Sequence, residues 1–169
     1  VTQAETVDAY PSLRADLTLT GYAAYVLELL DRFVPDEEVE SPSLYRLLTE
    51  TLSRLASEPL PRLTLRSYEM RLLDLLGFRP QLQECANCGN DVQAEDQFFS
   101  AALGGAVCPR CGQGLPGLWP ISVEALKYLR HFQRSDYRAA TRARPDAETQ
   151  KEIEDIINSG AKKVQQTYE

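Results

Sequence analysis

The sequence predicts a mainly α protein, a helical bundle domain into which a small four-cysteine β-hairpin module is inserted. Two observations carry that expectation. Over residues 17–76, and again over 121–157, apolar side chains recur three and four apart, the period of helices that bury one face. Between these stretches, residues 79–120 lose the period and hold all four cysteines and most of the glycines. The expected units are therefore 1–78 (helical domain, first part), 79–120 (cysteine module) and 121–169 (helical domain, second part and tail).

The first helix is expected from about Leu17 to Phe33, with Tyr22, Tyr25, Val26, Leu29, Leu30 and Phe33 on its apolar face. Pro35 and the acidic run Asp36, Glu37, Glu38 are expected to end it. Ser41 as cap and Pro42 at the first helical position open a second helix, where the missing N–H of proline costs nothing. Leu44, Leu47, Leu48, Leu52 and Leu55 form its stripe. After Pro59 and Pro61 a third helix runs over about 63–76 with Leu65, Tyr68, Leu72, Leu75 and Leu76 inward, and Gly77 terminates it. Within 79–120, Gln97–Ser100 and Gly105–Val107 read as a hairpin joined by 101–104. A further helix begins at Ser122, with Ile121 packing on Leu126 as a hydrophobic staple and Leu126, Leu129 and Phe132 inward. A last one spans Asp146 to about Asn158 with Ile153, Ile156 and Ile157 buried, followed by a polar tail from Ser159 and Gly160.

A chain of 169 residues with 43% apolar and 25% charged residues can bury a core and argues against wholesale disorder. No stretch has the length and apolarity of a membrane span, and the amino terminus VTQAETVDAYPSL lacks the basic-then-apolar pattern of a signal, so a cytosolic protein is expected. It starts at Val1 without Met, as a processed chain or a fragment would. The net charge of −7 speaks against wrapping a polyanion, yet charge is unevenly spread. Residues 1–60 carry net −7, whereas residues 127–144 hold Lys127, Arg130, Arg134, Arg138, Arg142 and Arg144 against Asp136 alone, net +5.

Cys85-Ala-Asn-Cys88 and Cys108-Pro-Arg-Cys111 form C-x2-C-x19-C-x2-C, the spacing of a four-cysteine zinc site. Gly89 and Gly112 follow the two pairs and are expected to supply the left-handed backbone that lets two sulfurs approach one ion. With four protein ligands no coordination position stays open, so the expected cofactor is one structural Zn2+ ion. Two rival readings stay open. Cys-x-x-Cys pairs also serve thiol–disulfide chemistry, though that use belongs with a βαβ context not seen here; two structural disulfides would need an oxidising compartment.

Arg130, Arg134, Arg138 and Arg142 stand four apart, so one continuous helix would align them in a row whose mutual repulsion invites a phosphate backbone. The pattern alone slightly favours the rival reading, a solvated helix face, which the acidic first helices of the same chain would be able to neutralise. His131, the only histidine, is expected to be exposed or phosphate-facing rather than a ligand. Trp119 and Tyr10 fit core or boundary positions better than base-stacking platforms. No glycine-rich phosphate loop, nucleophile elbow or zinc-protease pair occurs, and acidic pairs such as Asp36 with Glu38 read as solvated, so no enzyme is expected.

The run Arg66 to Pro80 (RSYEMRLLDLLGFRP), followed by Leu82 and Cys85-Ala-Asn-Cys88-Gly89, resembles the RecO family of bacterial recombination mediators. Phe99-Ser100, Gly104-Gly105, Cys108-Pro-Arg-Cys111, Ile121 to Leu126, Tyr10 to Arg14 and Tyr22 to Arg32 extend the resemblance over roughly residues 8–134. It implies DNA repair and homologous recombination: binding of single- and double-stranded DNA, strand annealing, and help in loading RecA. The partners it implies are RecR and the acidic, aromatic-ended tail of single-strand-binding protein, received in an apolar helix groove, in the bacterial cytoplasm at the nucleoid. It moves the DNA reading of Lys127, Arg130, Arg134, Arg138 and Arg142 ahead of the solvated-face reading. It also implies an OB-fold ahead of Val1, and residues 145–169 match it poorly. A zinc-braced docking module that binds no DNA is the alternative.

Overall fold

The computed structural model describes residues 5–34 and 41–168, with side chains through residue 163. Pro35, Asp36, Glu37 and Glu38, expected to end the first long helix, lie outside the described residues. In chain order, α1 is Pro11–Ala15, α2 Leu17–Phe33, α3 Pro42–Ser57 and α4 Pro61–Leu75. The cysteine segment follows, with β1 Gln97–Ser100, β2 Gly105–Val107, α5 Pro109–Gly112 and β3 Leu118–Ile121. The chain closes with α6 Val123–Arg134, α7 Tyr137–Ala140 and α8 Ala147–Tyr168. The mainly α class with an inserted four-cysteine hairpin module is thus the observed one.

Local chemistry sets the boundaries. The Asp16 carboxylate accepts from the Thr18 and Leu19 amides to start α2, and Ser41 Oγ accepts from Leu44 N at the head of α3. The α4 terminus is a Schellman motif: Phe78 N donates to Leu73 O at 2.8 Å, Gly77 N to Asp74 O at 3.2 Å, and Gly77 takes φ 80°. Ser122 Oγ caps α6 through Ala125 N. Glu152 of α8 grips the same Ser122, accepting from its amide and its hydroxyl. Asp146 accepts from Thr149 N at 2.7 Å at the start of α8, which then continues through Ser159 and Gly160 instead of stopping near Asn158.

Helix α4 is the axis of the molecule. It packs against α2, α3, α6, α7 and α8 and buries residues around most of its circumference, so the single inward stripe expected for it is too narrow. Leu65, Tyr68, Leu72 and Leu73 join Val26, Phe33, Leu44 and Leu55 in one cluster. Leu63 and Met70 face a second cluster, with Leu82, Val92, Phe99, Ala106 and Ile121 of the cysteine segment and Leu126, Leu129, Phe132, Ile153, Ile156 and Ile157 of α6 and α8. Leu75, expected inward, is 48% exposed, and Leu76 is half-buried.

The sheet has order β2-β1-β3, all antiparallel, with Phe99 opposite Ala106 on one side and Trp119 on the other. The hairpin matches its expected bounds. The third strand was not legible because Pro120 breaks the strand pattern; proline is tolerated there since β3 is an edge.

Candidate metal centre and basic segment

The first cysteine pair sits at the tip of a closed loop. Val92 N donates to Gln83 O at 2.8 Å, Cys85 N to Asn90 O at 2.7 Å and Gly89 N to Cys85 O at 2.8 Å, with Gly89 at φ 73°. The second pair follows β2 directly, and Gly112 N donates to Cys108 O at 2.9 Å. Gly112 has no positive φ, contrary to expectation. It is required for space, because a Cβ there would lie 2.3 Å from the Phe98 ring packed over the turn. Gly105 is similarly constrained: a Cβ would stand 2.4 Å from Gln81 O, where residue 81 runs parallel beside β2 and Ala106 N donates to Gln81 O. This pairing brings one knuckle beside the other, and Ala86 N adds a bond to Ala106 O at 2.7 Å.

The result is a single cluster in which the Sγ atoms of Cys85, Cys88, Cys108 and Cys111 all lie within 4.8 Å of one another. Sulfurs at ~2.3 Å around a tetrahedral zinc stand about 3.8 Å apart, and Cys88 and Cys108 are separated by 3.9 Å. That is far beyond a disulfide bond, and all four thiols are free. The donor set therefore fits one metal ion with no open position. Cys85 is buried, and Cys88 is exposed. Burial opposes ionisation of Cys85, but amides of Cys108, Cys88 and Asn87 donating to its sulfur hold it down at about 6. At Cys111 a bond from Asn87 favours the thiolate, yet the neighbouring Cys108 and Cys88 sulfurs push it up to about 11.

The expected row of four arginines is broken. Helix α6 ends at Arg134, Ser135 takes an extended conformation, and Asp136 caps α7 through Ala139 N at 2.8 Å. Arg142 follows α7 in a turn. Arg71 Nη2 donates to Ser135 O at 2.6 Å, the Thr64 and Tyr137 hydroxyls share a bond of 2.8 Å, and Arg54 stacks over the Tyr137 ring at 4.0 Å. His131 is not phosphate-facing. Its Nε2 donates to Ala139 O at 3.0 Å and its Nδ1 shares a hydrogen bond of 3.1 Å with the Ser135 hydroxyl, clamping α6 to α7.

Arg134, Arg138 and Arg142 are exposed, and none of the ion pairs among the described residues involves them. Lys127 pairs with Glu124 at 2.7 Å on the surface. Arg130 points the other way: its Nε and Nη2 donate to Leu82 O at 2.9 and 2.7 Å, and Nη2 reaches Val92 O at 3.4 Å. Partial burial, then the nearby Arg134 charge, lowers its pKa. No pairing of these arginines with the acidic first helices is seen among the described residues, and their exposure fits a solvated face as well as a phosphate contact.

The family model described as Recombination protein O C terminal matches residues 14–159. The chain belongs to the RecO family. DNA repair protein RecO of Dehalococcoides mccartyi is 35% identical over 159 residues, 94% of this chain and 62% of that protein. RecO of Roseiflexus sp. is 40% identical over 160 residues, 94% and 56% of the two chains. RecO of Bacillus pumilus is 32% identical over 157 residues, 92% and 60%. The chain thus spans about three-fifths of the length of the RecO proteins it matches. The RecO proteins that the chain matches are named DNA repair proteins. No helix among the described residues is long and apolar enough to cross a membrane. Sequence reasoning located the RecO cysteine cluster but missed Phe98 over the second knuckle and the inward turn of Arg130. The signal for the broken ridge was present in Ser135-Asp136, a helix-stop and cap pair.

Proposed function

We propose that this chain is the helical, metal-braced part of a RecO-type recombination mediator that binds DNA, supports strand annealing and helps load RecA together with RecR and single-strand-binding protein. The metal is one structural Zn2+ on Cys85, Cys88, Cys108 and Cys111, since four converging thiolates suit this ion and leave no position for a substrate. Its work is mechanical: it holds the two knuckles, and with them the sheet, against α6 and α8. The chain is not an enzyme on this reading; annealing follows from neutralising two phosphate backbones. For the acidic tail of single-strand-binding protein we propose the shallow groove of Tyr128, Ala139 and Ala143, whose rim carries Lys127 and Arg142 together with Glu124.

The observation that carries the DNA reading is the set of exposed guanidinium groups, Arg134, Arg138 and Arg142, that no carboxylate neutralises within ion-pair distance among the described residues. Lys127 stands beside them, its surface pair with Glu124 being weak enough to exchange for phosphate. Three phosphates contacted on single-stranded DNA give a salt slope of about −2, at ~0.7 per contact. The double variant Arg134→Glu, Arg138→Glu is expected to weaken binding at least tenfold and flatten that slope. Unchanged affinity in a low-salt titration sinks the phosphate role.

The net charge of −7 favours a second reading, a docking module in which metal only braces a protein-binding surface. Absence of any retardation of single-stranded DNA at low salt leaves this reading alone standing.

A further inference from the structure

Residues 80–92 form a loop whose tip carries Cys85 and Cys88 and whose base is gripped by one helix. Arg130 lies on α6, one turn before Gln133, and both reach across to this loop. The Arg130 guanidinium forks onto Leu82 O through Nε and Nη2, and Nη2 also approaches Val92 O. The rungs of the loop are Val92 N on Gln83 O, Glu84 opposite Asp91, and Cys85 N on Asn90 O, so Val92 belongs to the outermost rung and Leu82 stands one residue outside it. One side chain therefore ties the strand entering the knuckle to the strand leaving it. Gln133 Nε2 adds a bond of 2.7 Å to Pro80 O. Leu82 and Val92 also sit in the core cluster with Leu126 and Leu129 of α6, so the guanidinium works at the edge of a packed, poorly hydrated seam.

We propose that Arg130 is a positioning residue of the metal centre, presetting the loop that presents Cys85 and Cys88 so that metal closes a site already shaped. Its three donor contacts are to main-chain carbonyls that carry no charge of their own, and its planar fork suits two acceptors where a lysine could serve one. Holding a loop at its base removes conformations that metal binding would otherwise have to freeze. Arg134, one turn further, is exposed and donates only to Arg130 O within its own helix, so it provides the matched control.

The proposal rests on metal being held by the four cysteines. The test is the rate at which the full chain, loaded with Zn2+ or Co2+, yields its metal to an excess chromophoric chelator, alongside the cobalt–thiolate charge-transfer bands. Arg130→Met keeps the aliphatic stem and deletes the donors; release is expected to be about tenfold faster, the scale of effects from groups that support metal ligands. Arg130→Lys recovers part of that loss, and Arg134→Met releases at the wild-type rate. If Arg130→Met loses its helical circular dichroism, Arg130→Lys decides, with release a few-fold faster than wild type expected. Wild-type release from the folded Arg130 variant, or equally fast release from Arg134→Met, overturns the assignment. A wild-type chain that takes up neither ion defeats the metal reading itself, and this proposal with it.

Discussion

Glu69 is a charged residue on a helix face that has no access to water. It is 3% exposed; its Oε1 accepts from Tyr25 OH at 2.7 Å and pairs with Arg66 Nη2 at 2.9 Å. Burial pushes its carboxyl up to about 7 from an ordinary 4.5, although Arg66 and the Tyr25 bond favour the charged form, and Glu154 of α8 adds to the rise. Tyr25 is raised as well, by burial and by facing Glu69. Because the folded value lies above the unfolded one, the native state binds the extra proton between about pH 4.5 and 7. Its stabilising share is full below 4.5 and lost as pH rises through 7, roughly 3 kcal/mol at ~1.4 per unit. Urea unfolding at pH 5 and pH 8 is expected to show that slope, and Glu69→Gln to remove most of it. An identical pH dependence in the two proteins would show that Glu69 titrates normally in the fold.

At the scale of elements, helices were legible where their punctuation is local. Ser41-Pro42, Ser122 and Gly77 act through amides a few residues away, and Leu126, Leu129 and Phe132 show a one-sided stripe because α6 has one buried side. Helix α4 was harder, since a helix buried on two sides loses its period. Elements set by tertiary contact were illegible: β3 exists because β1 offers a free edge to a strand containing Pro120, and α8 runs through Gly160 although glycine ordinarily weakens a helix. The glycines show the same divide. Gly112 is set by the Phe98 ring, so Gly112→Ala is expected to cost about 1–3 kcal/mol and to loosen the second knuckle. Gly21 lies exposed within α2 with nothing within 4 Å of an added Cβ, so Gly21→Ala is expected to stabilise by up to about 1 kcal/mol. Paired thermal scans check the opposite signs; a stabilised Gly112→Ala would mean that Phe98 moves aside freely.

For the whole molecule, the consequence of sharing a core is that loss of a metal held by the four cysteines would reach beyond the cysteine segment into the cluster it shares with α6 and α8. Leu82, Val92, Phe99, Ala106 and Ile121 come from the cysteine segment, yet they pack in one cluster with α6 and α8, whereas the cluster of α2 and α3 with the other side of α4 has no member from that segment. Bound metal stabilises only the folded chain, so its removal withdraws that linkage energy from the first cluster and leaves the second in place. Trp119, the single tryptophan, lies on β3 and reports the sheet, while far-ultraviolet circular dichroism reports mainly helices. On chelation the tryptophan transition is expected to fall in temperature and to separate from the helical one, and adding Zn2+ back is expected to merge them again. If both probes still melt together at the original temperature after chelation, the four-cysteine cluster contributes nothing to the fold. If they fall together without separating, the two clusters unfold as one unit, with α4 transmitting the loss between them.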